Sequence, residues 1–196
     1  MADGTLHYDS PCLYFHKPGG KNTNAVLEAV SRRAKELSIR KVLIATCSGR
    51  TAFEALKILD RDVKIIAVTH VTGYEKPDFQ ELGEEDRRSL EAQGVTVLTC
   101  QHAFGGVGRA VRNKLATYQV DEIMAYTLRI FGQGVKVAIE LALMAADAGL
   151  VRTDEDIISI GGTARGSDSA LVLKPANSAH FFDLKVREVI CKPAVF

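Results

Sequence analysis

The sequence predicts an α/β fold, with a single three-layer, doubly wound and mostly parallel sheet that ends in an antiparallel edge hairpin at the C-terminus. Three observations predict this fold. Short runs of consecutive apolar residues are typical of strands that are buried on both faces. Segments with helical spacing lie between these runs, which is the alternation of a doubly wound sheet. After Ile160 this alternation ends, and short strand-like segments follow one another directly.

The central strands are the most clearly marked elements. Residues 42–45, 65–68, 95–98 and 157–160 form short runs in which almost every side chain is apolar. Runs of this length between polar segments are typical of a parallel sheet with helices on both faces. These four runs therefore predict the middle of the sheet.

Helices are predicted between the strands. Residues 26–37, 52–59 and 107–115 carry apolar side chains at the spacing of a helix face. Asn22 or Thr23 can cap the first of these helices. Each predicted helix has a polar face as well, so we expect each to lie on the surface of the sheet.

A fourth predicted helix has hardly any polar face. Residues 134–148 carry three charged side chains, Lys136, Glu140 and Asp147, and are otherwise almost entirely apolar. A helix that is apolar nearly all round is buried. The sheet of the same chain or a second copy of the chain can cover it, so the sequence leaves a homo-oligomer open.

The end of the chain has a different pattern. Residues 171–173 follow a glycine-rich loop too closely for a helix to intervene, which predicts a hairpin. Phe182, Leu184 and Val186 then alternate with charged residues. This alternation is typical of a half-buried edge strand, and we expect it to run antiparallel to its neighbour.

The composition is that of an ordinary globular protein with one domain, which we expect to span residues 1–196. The chain has 46% apolar residues, 25% charged residues and a net charge of +1. This excludes a largely disordered chain, and the small net charge argues against a nucleic-acid partner. No run approaches the ~20 apolar residues of a membrane span, and the N-terminus does not resemble a secretion signal. We therefore expect no membrane association.

The cysteines also indicate a cellular compartment. Cys12, Cys47, Cys100 and Cys191 are far apart in the sequence, and no pair has the Cys-x-x-Cys spacing. Scattered cysteines are typical of free thiols in a reducing compartment, which predicts a cytoplasmic protein. The spacing also predicts no metal site.

The segment after the first central strand has the features of an anion site. Residues 46–51 open a helix and contain Thr46, Ser48, Gly49, Arg50 and Thr51. Ligands in open α/β sheets bind beyond the carboxyl ends of the strands. The free N–H groups and the dipole of a helix start favour negative charge, and an arginine can bind a phosphate through two hydrogen bonds. We predict a phosphate-binding segment; an ordinary helix cap with a surface arginine is the alternative.

Polar residues also follow the next two strands. His70, Thr72, Gly73 and Tyr74 follow the second strand, whereas His102 and Phe104 follow the third. Two histidines at neighbouring strand ends can meet in one cleft, where they either line a pocket or have a structural role. Metal binding by these histidines with Cys47 or Cys100 is disfavoured, because no two such residues are close in sequence.

Two glycine-rich loops complete the predicted site. Gly132, Gln133 and Gly134 precede the buried helix, where the glycines either let the backbone approach a ligand or only break a helix. Residues 161–169 combine glycines with hydroxyl side chains, which suits a polar ligand; an ordinary hairpin turn is the alternative. Neither a P-loop nor a Gly-x-Ser-x-Gly elbow is present, which argues against ATP hydrolysis and a serine hydrolase.

The run Thr46-Cys47-Ser48-Gly49-Arg50-Thr51-Ala52, with the helix and strand that follow, resembles the C-terminal α/β domain of pyruvate kinase. In the eukaryotic enzyme a similar loop holds a phosphate of the activator fructose 1,6-bisphosphate. The resemblance extends from about residue 24 to residue 173 and implies that domain's fold. The loop at residues 162–167 resembles the second effector loop, but Thr163 and Ala164 stand where that loop has tryptophan and arginine.

The resemblance also has consequences for activity. The catalytic barrel and the lid domain of pyruvate kinase have no counterpart in these residues, which implies that this chain has no pyruvate kinase activity. Residues 131–138, 144–149 and 161–168 resemble a family of small stand-alone proteins that are similar to the α/β domain. That resemblance implies flavin mononucleotide (FMN) as the cofactor, without a settled reaction.

FMN is consistent with the residue types in the predicted loops. Its phosphate suits residues 46–51, and its polyol suits the hydroxyls of Thr72, Thr163 and Ser167. Its ring requires apolar or aromatic cover, for which Tyr74, Phe104 and Phe131 are available. The predicted cofactor-binding residues are Thr46, Ser48, Gly49, Arg50, Thr51, His70, Thr72, Gly73, Tyr74, His102, Phe104, Gly132, Gln133, Gly134, Gly162, Thr163, Ala164, Arg165 and Ser167.

Two classes of function stay open. The first is a flavin-dependent oxidoreductase, for which the substrate must reach the ring. The second is a non-catalytic sensor or regulatory protein for a sugar phosphate or another phosphometabolite. No catalytic residue is predicted for either class.

Overall fold

The computed structural model describes residues 6–196, in which seven strands form one sheet in the order β1-β7-β6-β5-β2-β3-β4. The strands are β1 (Leu13–Phe15), β2 (Lys41–Ala45), β3 (Lys64–Val68), β4 (Thr96–Leu98), β5 (Ile157–Gly161), β6 (Ser169–Lys174) and β7 (Lys185–Pro193). The helices are α1 (Thr23–Glu36), α2 (Arg50–Ile58), α3 (Glu84–Ala92), α4 (Gly106–Leu115), α5 (Val120–Arg129) and α6 (Gln133–Asp147). Short 3-10 turns cover Gly20–Asn22 and Ser178–Asp183. The predicted α/β fold with a mostly parallel sheet is confirmed.

The centre of the sheet is parallel. β2 lies between β5 and β3, and β4 lies outside β3, with all three pairs parallel. The side chains of β2, β3 and β5 are almost all buried, because helices cover both faces of the sheet. The loops after β2, β3 and β4 therefore emerge side by side at one edge of the sheet.

The C-terminal strands are antiparallel, as predicted. β5 pairs with β6, and β6 pairs with β7, both in antiparallel register. One detail differs from the prediction: β7 is next to the edge, because the three-residue β1 pairs with it in parallel on the outer side. Phe182 lies in the second 3-10 turn, so the strand begins only at Lys185.

Two apolar clusters lie on opposite faces of the sheet. α1, α2 and Leu90 of α3 cover one face. α6 covers the other face, where it contacts β2, β5 and β6 of the same chain and is flanked by α5. Twelve residues of α6 are buried, which confirms the predicted buried helix.

The apolar stripe predicted at residues 107–115 lies on α4 and is not packed into the core. α4 forms as predicted, but none of its residues is buried, and Val107 is 72% exposed. The stripe is therefore helical without being part of the core. Within residues 6–196, no helix is both long and apolar enough to cross a membrane.

Candidate functional site

A cavity of about 610 Å³ opens at the carboxyl ends of β2, β3 and β4. This is the edge of the sheet at which open α/β proteins bind ligands, and the volume is within the ~300–1,000 Å³ of small-molecule sites. Its walls come from the loop before α2, the loops after β3 and β4, one side of α6, and the loop between β5 and β6. All five predicted segments thus contribute to one cavity.

The loop between β2 and α2 presents the start of a helix to the cavity. Gly49 is the N-cap residue and has a φ of 83°, a left-handed conformation that glycine adopts without steric cost. Its N–H donates to Thr46 Oγ1 at 3.0 Å, which holds the loop in a tight turn. The next N–H groups, beginning at Arg50, have no intrahelical acceptor and are available to an anion.

The loop between β5 and β6 is held in place by a buried carboxylate. Asp168 Oδ2 accepts the N–H groups of Gly19 at 2.8 Å and Thr163 at 3.1 Å, and its Oδ1 accepts the Ser169 hydroxyl at 2.9 Å. These bonds tie the loop to Gly19 and to the start of β6. The loop brings Arg165 to the cavity wall.

Three rings form an aromatic cluster beside the cavity. The centroids of His70 and Tyr74 are 4.1 Å apart, and the Tyr74 and His102 rings lie 5.3 Å apart at an interplanar angle of 13°. The Arg109 guanidinium lies 4.9 Å from the Tyr74 centroid. The two histidines at neighbouring strand ends thus meet in one cleft, as the sequence suggested.

α6 carries a buried ion pair into the same cavity. Lys136 Nζ donates to Glu140 Oε2 at 2.5 Å, and the side chains are only 7% and 5% exposed. Glu140 Oε1 also accepts the Phe104 N–H at 2.9 Å. Burial lowers the pKa of the Lys136 ammonium, a shift that the nearby Glu140 opposes.

His102 is held neutral at physiological pH. Burial lowers its pKa to about 4, although the carboxylate of Glu140 acts in the opposite direction. The Nδ1 atom lies 4.0 Å from Glu140 Oε1, which is too far for a hydrogen bond. The Nε2 atom accepts the Val71 N–H at 3.4 Å, so His102 fixes the loop that follows β3.

A cysteine, a histidine and a glutamate meet on one wall of the cavity. Cys47 Sγ lies 3.6 Å from Nδ1 and 3.7 Å from Nε2 of His70, and His70 Nδ1 lies 2.5 Å from Glu81 Oε2. Burial raises the pKa of the Cys47 thiol to about 11, and the charge of Glu81 adds to this shift. The thiol is therefore protonated at neutral pH in the ligand-free protein.

Cations outnumber carboxylates around the cavity. Its lining includes five cationic side chains, Arg50, Arg109, Arg129, Lys136 and Arg165, and three carboxylates, Glu75, Glu81 and Glu140. One cation and one carboxylate neutralise each other in the buried pair of α6. The remaining excess of positive charge favours an anionic ligand.

Eleven of the predicted site residues line this cavity. They are Thr46, Ser48, Arg50, Thr51, His70, Tyr74, His102, Gln133, Gly162, Ala164 and Arg165. Eight predicted residues do not: Gly49, Thr72, Gly73, Phe104, Gly132, Gly134, Thr163 and Ser167. Gly49 still shapes the wall from behind as the helix cap.

Two of the three residues predicted to cover the ring lie outside the cavity lining. Phe104 belongs to the core beside α6, where its ring meets Phe181 at 5.8 Å. Phe131 is exposed and lies outside the cavity lining. Tyr74 lines the cavity, but the exposed Thr72 turns its hydroxyl toward Gln80 Nε2 at 3.4 Å.

Gly134 has a packing role instead of a ligand-contact role. A methyl group added at Gly161 would overlap the carbonyl oxygen of Gly134, because α6 starts directly against β5 at this point. A side chain at Gly134 would meet Asp168 and Ser169. The close approach of helix and strand explains this glycine without any ligand.

Sequence reasoning missed several cavity residues. Arg109, Arg129, Lys136 and Glu140 lie on helices, and Glu81 lies in a charged segment that is otherwise exposed. Lys136 and Glu140 did leave a signal, since two opposite charges four residues apart in an apolar helix must be paired when buried. The contribution of Glu81 depends on a loop conformation that has no local signature.

Comparison with known proteins identifies the family. The family described as the pyruvate kinase alpha/beta domain matches residues 24–173, which is most of the chain. The chain belongs to this family. The matched range contains every residue that lines the cavity.

Solved structures give a weaker likeness. A pyruvate kinase from Cryptosporidium parvum has 14% sequence identity and a TM-score of 0.40, and the match covers 76% of this chain and 22% of that one. A Cryptosporidium parvum pyruvate kinase in complex with ADP has 15% identity and a TM-score of 0.38, and covers 84% of this chain and 23% of that one. The chain thus spans under a quarter of the length of these enzymes.

Proposed function

We propose that the chain binds a phosphorylated small molecule, FMN, in the cavity at the carboxyl ends of β2, β3 and β4. The observation that carries the proposal is the combination of two kinds of surface in one cavity. The start of α2 with Arg50 and Arg165 supplies a cationic surface, and Val68, Val137, Leu141 and Met144 supply an apolar one. A ligand with a phosphate at one end and a flat ring at the other matches both.

The start of α2 supplies the groups that would bind the phosphate. The free N–H groups at a helix start and the helix dipole stabilise an anion, and an arginine adds charge-assisted hydrogen bonds. Arg50 is 62% exposed, and its nearest carboxylate, Glu54, lies 3.9 Å away, so the guanidinium is not held in a tight ion pair. Arg165 also lines the cavity and would share the charge of the phosphate.

Apolar and aromatic residues of the cavity lining would cover the flavin ring. Val68, Val137, Leu141 and Met144 supply apolar surface, and Tyr74 is stacked on both histidines of the aromatic cluster. Flat aromatic ligands gain from stacking and from apolar burial at such a surface. These residues would cover the flavin ring in place of the phenylalanines that the sequence suggested.

Two buried hydroxyls support a polar ligand near the loop between β5 and β6. Thr163 Oγ1 and Ser167 Oγ have no hydrogen-bond partner among residues 6–196. Buried polar groups of this kind are uncommon and often mark a missing ligand or water. They flank Ala164 and Arg165, which line the cavity. Thr163 and Ser167 themselves lie outside the cavity lining, so their hydroxyls mark the loop without contacting a ligand in the cavity.

FMN, when bound, supplies one- and two-electron transfer. The residues of the chain would bind the phosphate, orient the ring and shield it from water. The excess of cations favours one alternative, since a bisphosphate would neutralise more of it than a single phosphate. That alternative is a non-catalytic sensor for a sugar bisphosphate or another phosphometabolite.

Ligand titration tests the proposal. Purified protein, freed of flavin, is titrated with FMN, riboflavin and fructose 1,6-bisphosphate by calorimetry. We expect FMN to bind at least about tenfold more tightly than riboflavin, since one charge-assisted hydrogen bond is worth ~1.5–3 kcal/mol. Binding of the bisphosphate without FMN binding would support the sensor. Absence of FMN binding, or equal affinity for FMN and riboflavin, would contradict the proposal.

A turnover assay separates the two classes of function. Protein loaded with FMN is mixed with nicotinamide cofactors or other reductants, and then with electron acceptors. Repeated reduction and reoxidation of the bound flavin would support an oxidoreductase. A flavin that stays inert in every combination would support a binding or sensing role.

We also propose that these 196 residues have no pyruvate kinase activity. They match the α/β domain, whereas the phosphoenolpyruvate, metal and ADP sites of pyruvate kinase belong to its barrel and lid. Formation of ATP from phosphoenolpyruvate and ADP by the purified chain, lost on substitution of a cavity residue, would contradict this.

A further inference from the structure

We propose that Cys47, His70 and Glu81 form a binding site for a divalent ion of the zinc type. The three residues come from three separate segments: the α2 loop, the end of β3 and the charged loop before α3. One ligand atom from each lies within 4.8 Å of the others. This site goes beyond flavin binding and does not depend on it.

One of the separations is that of a metal site. In a tetrahedral zinc site, bond lengths of ~2.3 Å to sulfur and ~2.05 Å to nitrogen place the two ligand atoms about 3.5 Å apart. Cys47 Sγ and His70 Nδ1 are 3.6 Å apart. Glu81 Oε2 lies 2.5 Å from the same nitrogen, so the carboxylate would retreat by about 0.8 Å on metal binding. A rotation of its flexible side chain is sufficient for this.

The same atoms argue against a catalytic Cys-His-Glu triad. In a triad, the nucleophile contacts one ring nitrogen and the carboxylate binds the other, so that the imidazole relays a proton. Here Cys47 Sγ is almost equidistant from the two ring nitrogens of His70, at 3.6 Å from Nδ1 and 3.7 Å from Nε2, and Glu81 contacts Nδ1. The sulfur is therefore not directed at a single ring nitrogen with the carboxylate on the other, as a triad requires.

The ligand set identifies the class of metal. One thiolate, one imidazole and one carboxylate suit zinc and cobalt, whereas magnesium and calcium prefer oxygen ligands. Metal binding would release the Cys47 proton to solvent. The resulting thiolate and the carboxylate of Glu81 would supply two negative charges, which would neutralise a divalent ion in a cavity that otherwise has excess positive charge. All three residues line the cavity, so the fourth coordination position would face it. Three protein ligands and an open position are typical of a metal site that contacts a ligand.

Cobalt spectroscopy tests the site. Flavin-free protein, treated with chelator and reductant, is titrated with Co²⁺ alone, because thiolate-bound cobalt has a charge-transfer band that free cobalt lacks. We expect one Co²⁺ per chain with this band, and stoichiometric displacement by Zn²⁺. Cys47→Ser should abolish the band, and Glu81→Gln should weaken binding by at least tenfold.

Cys100→Ser is the matched control, because Cys100 is a partly buried thiol at the end of the neighbouring strand and lies outside the cluster. This variant should bind cobalt with the affinity and stoichiometry of the wild-type protein. A band that survives in Cys47→Ser, or that disappears in Cys100→Ser, would overturn the assignment. So would the absence of stoichiometric cobalt binding by the unchanged, folded protein. None of these results depends on whether FMN binds.

Discussion

The buried ion pair of α6 gives a sharp prediction about stability. Replacing Lys136 by Met removes the partner of Glu140, whose carboxylate is then buried with only the Phe104 N–H as a donor. Breaking a buried pair in this way costs about 3–5 kcal/mol, because the remaining charge is uncompensated. We expect Lys136→Met to lower the free energy of unfolding by that amount. Urea denaturation followed by circular dichroism measures it.

The double variant separates the loss of charge balance from the loss of packing. In Lys136→Met combined with Glu140→Gln, no charge is buried, and the glutamine oxygen can still accept the Phe104 N–H. Replacing both partners of a buried pair is often neutral or stabilising, so the double variant should recover most of the stability lost in Lys136→Met. This recovery is the signature of a desolvated pair.

An exposed ion pair serves as the control. Arg40 and Asp62 form an ion pair in which both side chains are more than half exposed. Arg40→Met should change the free energy of unfolding by less than about 1 kcal/mol. If Lys136→Met costs no more than Arg40→Met, the α6 pair is not desolvated and the reasoning is refuted.

Three further predictions concern stability. In the folded protein, His102 should remain neutral down to about pH 4. In the unfolded chain, the same imidazole binds a proton below about pH 6.5. The free energy of unfolding should therefore fall as the pH decreases from about 6.5 to 4, by on the order of 2–3 kcal/mol. His102→Gln should lose that part of the acid sensitivity in urea denaturation at a series of pH values, and an unchanged pH profile would contradict the assignment. Leu143→Ala should cost about 2–5 kcal/mol because Leu143 is fully packed, whereas Val107→Ala, on the exposed face of α4, should change stability by less than about 0.5 kcal/mol; equal losses would contradict the described core. Gly161→Ala should destabilise the fold by at least about 1–3 kcal/mol in the same assay, since α6 starts against this residue, and unchanged stability would contradict that contact.

Local patterns predicted most of the fold. The apolar runs of β2, β3 and β5 and the continuous apolar surface of α6 are direct consequences of burial on both sides. β1 was not predicted, because it has three residues and its strand character depends on pairing with the distant β7. The same pairing moves β7 one place in from the edge of the sheet.

The site was predictable in part. The helix start at Thr46–Thr51 carries its own signature, because the residue types that favour anions are adjacent in sequence. The approach of Cys47, His70 and Glu81 has no such signature, since ligand spacing identifies a metal site only when the ligands share one short segment. Phe104 was predicted to cover the ring but lies in the core, because an aromatic residue after a strand can point into the core as readily as into a cavity.

The central claim is that the start of α2 binds the phosphate of FMN. The most direct measurement is the affinity of FMN and riboflavin for the unchanged protein, Arg50→Ala and the control Lys57→Ala, which removes an exposed cation from the far end of the same helix. Loss of a charge-assisted hydrogen bond of ~1.5–3 kcal/mol corresponds to a roughly 10- to 150-fold weakening. We expect Arg50→Ala to weaken FMN by this factor and to leave riboflavin nearly unchanged, with no effect of Lys57→Ala. Equal losses of FMN and riboflavin affinity in Arg50→Ala would show that Arg50 does not contact the phosphate and would contradict the claim.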